Sequence, residues 1–174
     1  MQSGAFRLAI LLIVDVQAGF INPSTGHIPE AVERLQDRFA TVFASRFENA
    51  PNSPFRRWKG LTRFAPGMPE TALAFTPRAD AGIFAKGGYS AATHAIVAGA
   101  KAADLPVHLC GIATDNCVLA TAIDLFEVGI RPIVIADACA SHAGPDYHEA
   151  GMLLLKRLLG EAQIVLAAEA TGDK

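Results

Sequence analysis

Short apolar runs rich in β-branched residues alternate with amphipathic segments along most of this chain. The first run, residues 8–14, is continuously apolar, as expected for a central strand with both faces covered. Strands that alternate with helices predict a parallel sheet flanked by helices. We therefore predict an α/β fold: a three-layer α/β/α sandwich around a six-stranded, mainly parallel sheet of order 3-2-1-4-5-6.

The predicted elements follow one another at short intervals, and at 174 residues we expect one domain, 1–174. Strands are predicted at residues 8–14, 41–47, 81–85, 106–111, 131–136 and 163–166. Helices are predicted from residue 29 to about 40 and at 92–103, 115–128 and 145–159.

Charge and composition argue against several classes of function. The formal net charge of −2 gives no reason to expect nucleic acid or an anionic membrane as a partner. The apolar run at 8–14 is too short to span a bilayer, and Asp15 interrupts it. It also lacks the features of a signal peptide, so we expect a cytoplasmic protein. The three cysteines have spacings that fit neither a zinc site nor a disulfide framework, which predicts reduced thiols.

Residues 48–78 depart from the alternating pattern. The segment is rich in proline and is predicted to be mostly irregular, which is typical of a lid, a binding loop or an oligomer contact. It contains the cluster Arg56-Arg57-Trp58-Lys59. This cluster is either a solvated basic stretch with one packed Trp or a pocket rim or subunit contact, because Arg and Trp favour interfaces.

Three reactive side chains fall at predicted strand ends: Asp15, Lys86 and Cys117. Ligands of open α/β sheets bind beyond the carboxyl ends of the strands, where the strand order reverses. Strands one and four are neighbours in the predicted order, so Asp15 and Cys117 should face each other, and Lys86 can reach them from two strands away. A thiol in the first turn of a helix faces unpaired N–H groups, which favour the thiolate. Taken singly, each of the three side chains is more often structural.

The chain resembles the isochorismatase-like cysteine hydrolases, which include nicotinamidases, N-carbamoylsarcosine amidases and ureidoacrylate amidohydrolases. Three pieces carry the resemblance: Leu-Leu-Ile-Val-Asp-Val-Gln-Ala-Gly-Phe at 11–20, Lys-Gly-Gly-Tyr-Ser-Ala at 86–91 and Gly-Ile-Ala-Thr-Asp-Asn-Cys-Val at 111–118. The ordered trio is far more specific than any one piece.

The resemblance implies a catalytic triad of Asp15, Lys86 and Cys117. Asp15 takes the thiol proton, the sulfur attacks an amide-like carbonyl, ammonia or an amine leaves, and water hydrolyses the thioester. It also implies a non-proline cis peptide at Ile112–Ala113 that directs the N–H groups of Ala113 and Cys117 into an oxyanion hole. A homo-oligomer, either a dimer or a tetramer, is implied as well.

Departures from the family pattern bear on cofactor and substrate. Nicotinamidases carry metal-binding histidines after the second strand, where this chain has none, and its one Asp-x-His, Asp146-Tyr-His148, lies in a late predicted helix. We therefore expect no metal and no other cofactor. Some relatives that cleave the vinyl ether of isochorismate lack the cysteine, so Cys117 favours amide-type substrates.

The leading hypothesis is a metal-independent cysteine hydrolase that cleaves the C–N bond of a small amide, carbamoyl or ureido compound. One alternative is isochorismatase-type vinyl ether hydrolysis with Asp15 as general acid. Another is a non-catalytic, redox-sensitive or assembly protein with the same fold. His142 follows the fifth strand and either edges the pocket or packs structurally. The candidate pocket walls are Gln17, Phe20, Asn49, Phe55, Trp58 and Tyr89.

Overall fold

A computed structural model describes residues 9–170 and contains a six-stranded sheet in which every neighbouring pair of strands is parallel. The strand order is 3-2-1-4-5-6, so the predicted α/β class and sheet order are confirmed. The strands are β1 Ile10–Val14, β2 Thr41–Phe47, β3 Gly82–Lys86, β4 Val107–Ile112, β5 Pro132–Ala140 and β6 Ile164–Val165. Leu8, predicted to begin the first strand, lies outside the described residues.

The centre of the sheet is the most deeply buried part of the fold. All five residues of β1 and all six of β4 are buried, as their continuous apolar sequence predicts. β3 lies at one edge and alternates between more and less exposed residues. The core therefore sits under β1 and β4, where the strand order reverses.

Five α-helices surround the sheet within the described residues: α1 Ile28–Gln36, α2 Pro54–Arg57, α3 His94–Ala103, α4 Leu119–Glu127 and α5 Pro145–Leu159. α1 packs against β4 and β5, whereas α4 and α5 pack against each other and against β5. In this part of the chain no helix is both long enough and apolar enough to cross a membrane.

Two helices begin at residues that differ from the predicted ones. α3 starts at His94 because the Thr93 side chain accepts a hydrogen bond from the N–H of Ile96 and caps the helix. The predicted helix 115–128 is divided into a π-helical turn at Thr114–Val118 and α4.

Strand β5 continues four residues beyond its predicted end, because a bulge between Leu109 and Gly111 shifts its pairing with β4.

Two glycines allow the close approaches that shape the carboxyl edge of the sheet. Gly111 has φ +120°, and a Cβ there would lie 2.1 Å from the carbonyl oxygen of Val14. A Cβ on Gly151 would lie 2.7 Å from the backbone nitrogen of Asp115, so α5 can rest directly on the π-helical turn. These contacts fix the ends of β1 and β4 and the turn that follows β4.

Candidate active site

Asp15 follows β1 directly and is fully buried. Its φ is +48°, a left-handed conformation that is uncommon for a residue with a side chain. Ser45, on the neighbouring strand β2, forms two hydrogen bonds with Asp15. The Ser45 hydroxyl accepts from the Asp15 N–H at 3.2 Å and donates to Oδ1 at 2.7 Å. Both the backbone and the carboxylate are therefore fixed in orientation.

Lys86 is the last residue of β3, two strands from β1. Its Nζ lies 2.7 Å from Oδ2 of Asp15, and it donates to the carbonyl oxygens of Gly88 at 2.8 Å and Tyr89 at 2.9 Å. Both charged side chains are buried, so each ion depends on the other for compensation. The long lysine side chain spans the gap of about 10 Å that two strand spacings leave.

Cys117 is the fourth residue of the π-helical turn, and its Sγ lies 3.5 Å from Nζ of Lys86. Burial raises the pKa of this thiol well above its usual range, and the nearby Asp15 carboxylate raises it further, against the lowering effect of Lys86. The expectation that the helix start favours the thiolate is therefore not met, because burial and the carboxylate outweigh it. Burial and the Asp15 carboxylate thus favour the thiol over the thiolate.

Side chains of α4 and α5 hold the turn that carries Cys117. Thr121 of α4 donates to the Cys117 carbonyl oxygen at 2.6 Å and accepts from the N–H of Ala91 at 2.8 Å. Thr114 Oγ1 lies 2.8 Å from Nδ1 of His148 on α5. The peptide bond between Ile112 and Ala113, just ahead of the turn, is cis.

A cavity of about 200 Å³ opens above Cys117. It is mainly apolar, with aromatic side chains on its walls and cations at its mouth. Its lining residues are Gly19, Phe20, Phe47, Phe55, Lys59, Leu61, Arg63, Phe64, Tyr89, Ile112, Ala113, Asn116, Cys117 and His142.

Three of the predicted wall residues line this cavity: Phe20, Phe55 and Tyr89. His142 lines it as well, and its ring packs against Phe20 with the centroids 4.9 Å apart. Burial lowers the pKa of His142, which favours the neutral imidazole. His142 therefore edges the pocket, the first of the two positions predicted for it.

The other three predicted wall residues do not line the cavity and are corrected. Gln17 is fully buried, and its amide bonds the backbone of Phe47 and the carbonyl oxygen of Thr71. Asn49 is also fully buried and donates to two backbone carbonyl oxygens of the 48–78 segment. Trp58 is 79% exposed, with the Arg57 guanidinium 5.1 Å from its ring centroid. The amide of Gln17 bonds the end of β2 and the 48–78 segment, the amide of Asn49 bonds the 48–78 segment, and Trp58 lies on the surface.

Sequence reasoning missed Ser45 and the walls Phe47 and Phe64. The sequence could have indicated Ser45, because a polar side chain in a buried strand needs a hydrogen-bond partner and Asp15 follows the neighbouring strand. Phe47 ends β2 at the same edge of the sheet as Asp15. Phe64 had no such signal, since its position depends on the path of the irregular segment.

The described residues, 9–170, contain no group of three or more His, Cys, Asp and Glu side chains that could hold a metal ion. His148 of the Asp-x-His sequence lies in α5, and its Nδ1 is engaged by Thr114.

Comparisons with known proteins identify a family and similar folds. The family model of the isochorismatase domain matches residues 9–168. An isochorismatase-like hydrolase from Alkaliphilus metalliredigens superposes with a TM-score of 0.80 at 18% identity, over 94% of this chain and 97% of the other. N-carbamoylsarcosine amidase from Thermoplasma acidophilum gives 0.77 at 22% identity, over 95% and 100%.

Nicotinamidase from Bacillus subtilis gives a TM-score of 0.73 at 21% identity, over 91% of this chain and 99% of the other. At these identities the likeness shows a shared fold. Comparison with curated protein sequences gives no match.

Proposed function

The chain belongs to the isochorismatase family of hydrolases, and from this premise we propose that it is a cysteine hydrolase that cleaves the C–N bond of a small amide, carbamoyl or ureido compound. The proposed catalytic residues are Asp15, Lys86 and Cys117. The observation that carries the proposal is their convergence: the Lys86 ammonium touches both the carboxylate of Asp15 and the sulfur of Cys117.

In the proposed first step the Cys117 sulfur attacks the substrate carbonyl carbon while Asp15 takes the thiol proton. A carbon–sulfur bond forms, and the carbonyl electron pair moves to oxygen. The N–H groups of Ala113 and Cys117 then donate to the oxyanion. When the tetrahedral intermediate collapses, the C–N bond breaks, and the proton held by Asp15 passes to the leaving amine.

In the second step water attacks the thioester carbonyl and Asp15 takes one of its protons. The carbon–sulfur bond breaks, the acid leaves, and the thiol regains its proton. Asp15 thus acts as base and acid in turn, as one positioned carboxyl group can. The raised pKa of Cys117 fits this scheme, because the proton moves only when substrate is in place.

Lys86 has two roles in the proposal. It compensates the charge of Asp15 while that side chain is a carboxylate, and it stabilises negative charge on the sulfur when the proton has moved. Neither role requires a metal ion or another cofactor. We further propose one domain, 1–174, that works as a homo-oligomer.

Ammonia release from a panel of small amides, carbamoyl compounds and ureido acids, measured with EDTA present, tests the proposed function. Isochorismate is assayed in parallel with the parent enzyme and with Cys117→Ala. The proposal expects ammonia from at least one amide with the parent enzyme and none above background with the variant. Cleavage of isochorismate that persists in Cys117→Ala would instead support acid catalysis by Asp15.

A further inference from the structure

The walls of the cavity above Cys117 form a continuous aromatic surface. Phe20 stacks on Phe64 at 4.2 Å between centroids, and Phe47 contacts both Phe55 at 4.8 Å and Phe64 at 5.8 Å. Tyr89 extends the row, 4.9 Å from Phe55. An apolar cavity of ~150 Å³ takes up benzene, so the 200 Å³ here has room for one ring that bears an amide.

Two cations stand at the mouth of this cavity, Lys59 and Arg63, and both are exposed to solvent. Lys59 Nζ lies 3.4 Å from the hydroxyl of Tyr89. The Arg63 guanidinium lies 5.1 Å from the centroid of Phe64 and donates to the carbonyl oxygen of Gly19 at 3.3 Å. Both side chains thus lie against the cavity walls.

Neither cation has a close carboxylate among residues 9–170. The ion pairs formed in that part of the chain involve other residues. Glu70 interacts with the charge of Arg63 without forming an ion pair with it, and its Oε1 accepts a hydrogen bond from the Phe64 N–H. Among the residues that the structure describes, no aspartate or glutamate lines the cavity, and Asp15, beneath Cys117, is paired with Lys86. The positive charge at the mouth is therefore available to a ligand.

The charges of both cations affect His142, which also lines the cavity. Burial is the main reason that the pKa of His142 is lowered; Asp115 opposes this effect, and Lys59 and Arg63 lower the pKa further. Burial penalises charge of either sign inside the cavity, and the two cations add to the penalty on positive charge there. The mouth, beside Lys59 and Arg63, is therefore the part of the cavity that favours an anionic group of a ligand.

We infer that the substrate is an amide with a ring-sized apolar body and a carboxylate at the end remote from the amide, held at the mouth by Lys59 and Arg63. This inference rests on the proposed function for the position of the amide at Cys117. The aromatic walls bind the body and the two cations select the anion, so Lys59 and Arg63 are specificity-determining residues.

Binding to the Cys117→Ala variant tests this recognition without turnover. Isothermal titration compares three matched probes: 4-carbamoylbenzoate, which is anionic, neutral benzamide and cationic 4-(aminomethyl)benzamide. We expect the anion to bind about fivefold or more tighter than benzamide, and the cation to bind most weakly. Raising the ionic strength from about 0.05 to about 0.5 M should remove most of the preference.

Lys59→Met and Arg63→Met, each made in the Cys117→Ala background, should each weaken binding of the anion about fivefold and leave benzamide within about twofold. Arg57→Met is the matched control, an exposed cation two residues before Lys59 that does not line the cavity, and it should change nothing. Equal affinity for the three probes, or an equal loss for all three in the Lys59 and Arg63 variants, overturns the inference.

Turnover of 4-carbamoylbenzoate by the parent enzyme separates the two claims. Binding with the expected charge preference but without ammonia release contradicts the proposed hydrolysis of this class and leaves the recognition standing. Ammonia release with no difference between 4-carbamoylbenzoate and benzamide contradicts the recognition and supports the hydrolase.

Discussion

The base of the cavity and its walls are built in different ways. The base is formed by Cys117, which lines the cavity, with Asp15 and Lys86 in contact beneath it. The ends of β1 and β3 and the turn after β4 bring these three residues to one edge of the sheet. The walls come largely from the 48–78 segment, which supplies Phe55 and Phe64, and from the side chain of Phe47 at the end of β2. The sheet therefore fixes the groups proposed to react, and the irregular segment shapes what can reach them.

The comparison predicts that substitutions in the base abolish turnover whereas substitutions in the walls change substrate affinity. Cys117→Ala should lower kcat/KM about 10³-fold or more, because it removes the proposed nucleophile. Steady-state ammonia release measures the loss. Cys110→Ala is the control: it removes another buried thiol, on β4 and away from the cavity lining, and should keep most of the activity. Equal losses in the two variants would assign Cys117 to packing.

Asp15→Asn should lower kcat about 10²- to 10⁴-fold, because it removes the proposed base. It also leaves the Lys86 ammonium buried without its carboxylate, which costs about 3–5 kcal/mol of unfolding free energy. Urea unfolding followed by circular dichroism measures that cost. The double variant Asp15→Asn/Lys86→Met should recover stability but not activity. Recovery of activity as well would contradict a catalytic role for the pair.

The strand order and the meeting of the strand ends follow from sequence, because apolar runs and the rules for parallel sheets determine both. The same rules predict that Asp15, Lys86 and Cys117 lie at one edge of the sheet, and in the structure their side chains are in contact. The pKa of Cys117 could not be predicted from its position after β4, because it depends on burial and on the nearby carboxylate.

The walls could be predicted only in part: Phe20, Phe55 and Tyr89 line the cavity, whereas three other predicted wall residues do not. Gln17 and Asn49 were predicted to line the pocket, yet backbone groups at the end of β2 and in the 48–78 segment bind their amides. Trp58 was predicted to be a wall residue because of its type and its place in the 48–78 segment, but it lies on the surface. The path of a proline-rich segment depends on many weak contacts between residues far apart in sequence, which no periodicity encodes.

Phe64→Leu tests the walls. It should raise KM about fivefold and change kcat less than twofold, because it removes an aromatic face of the wall, held in place by stacking on Phe20, and an aromatic contact with the substrate is worth about 1 kcal/mol. Trp58→Ala, in the same segment but outside the cavity, should leave both parameters within about twofold. A larger effect of Trp58→Ala than of Phe64→Leu would show that the mouth extends over Trp58.

The smallest effect on turnover is expected from His108, which lies on β4 in the core, edge-on to Phe39. Burial lowers its pKa from 6.5 to about 4. The unfolded chain therefore binds more protons than the folded chain between these values, and unfolding free energy should fall as pH drops from about 6.5 to about 4, by about 3 kcal/mol in all.

Urea unfolding across this pH range, with His108→Gln as the comparison, isolates the contribution of His108. The variant should show a shallower fall than the parent protein and near-normal activity at neutral pH. If unfolding free energy depended on pH identically in the two proteins, His108 would not be the residue whose lowered pKa causes the fall in stability.

The central claim is that the Cys117 sulfur is acylated during turnover, and intact-protein mass spectrometry of acid-quenched reactions tests it most directly. With an amide that the enzyme hydrolyses, we predict a mass increase equal to the acyl group, located on the peptide that contains Cys117 and absent from Cys117→Ala. Turnover without an adduct in the parent enzyme, together with undiminished hydrolysis by Cys117→Ala, would contradict the claim.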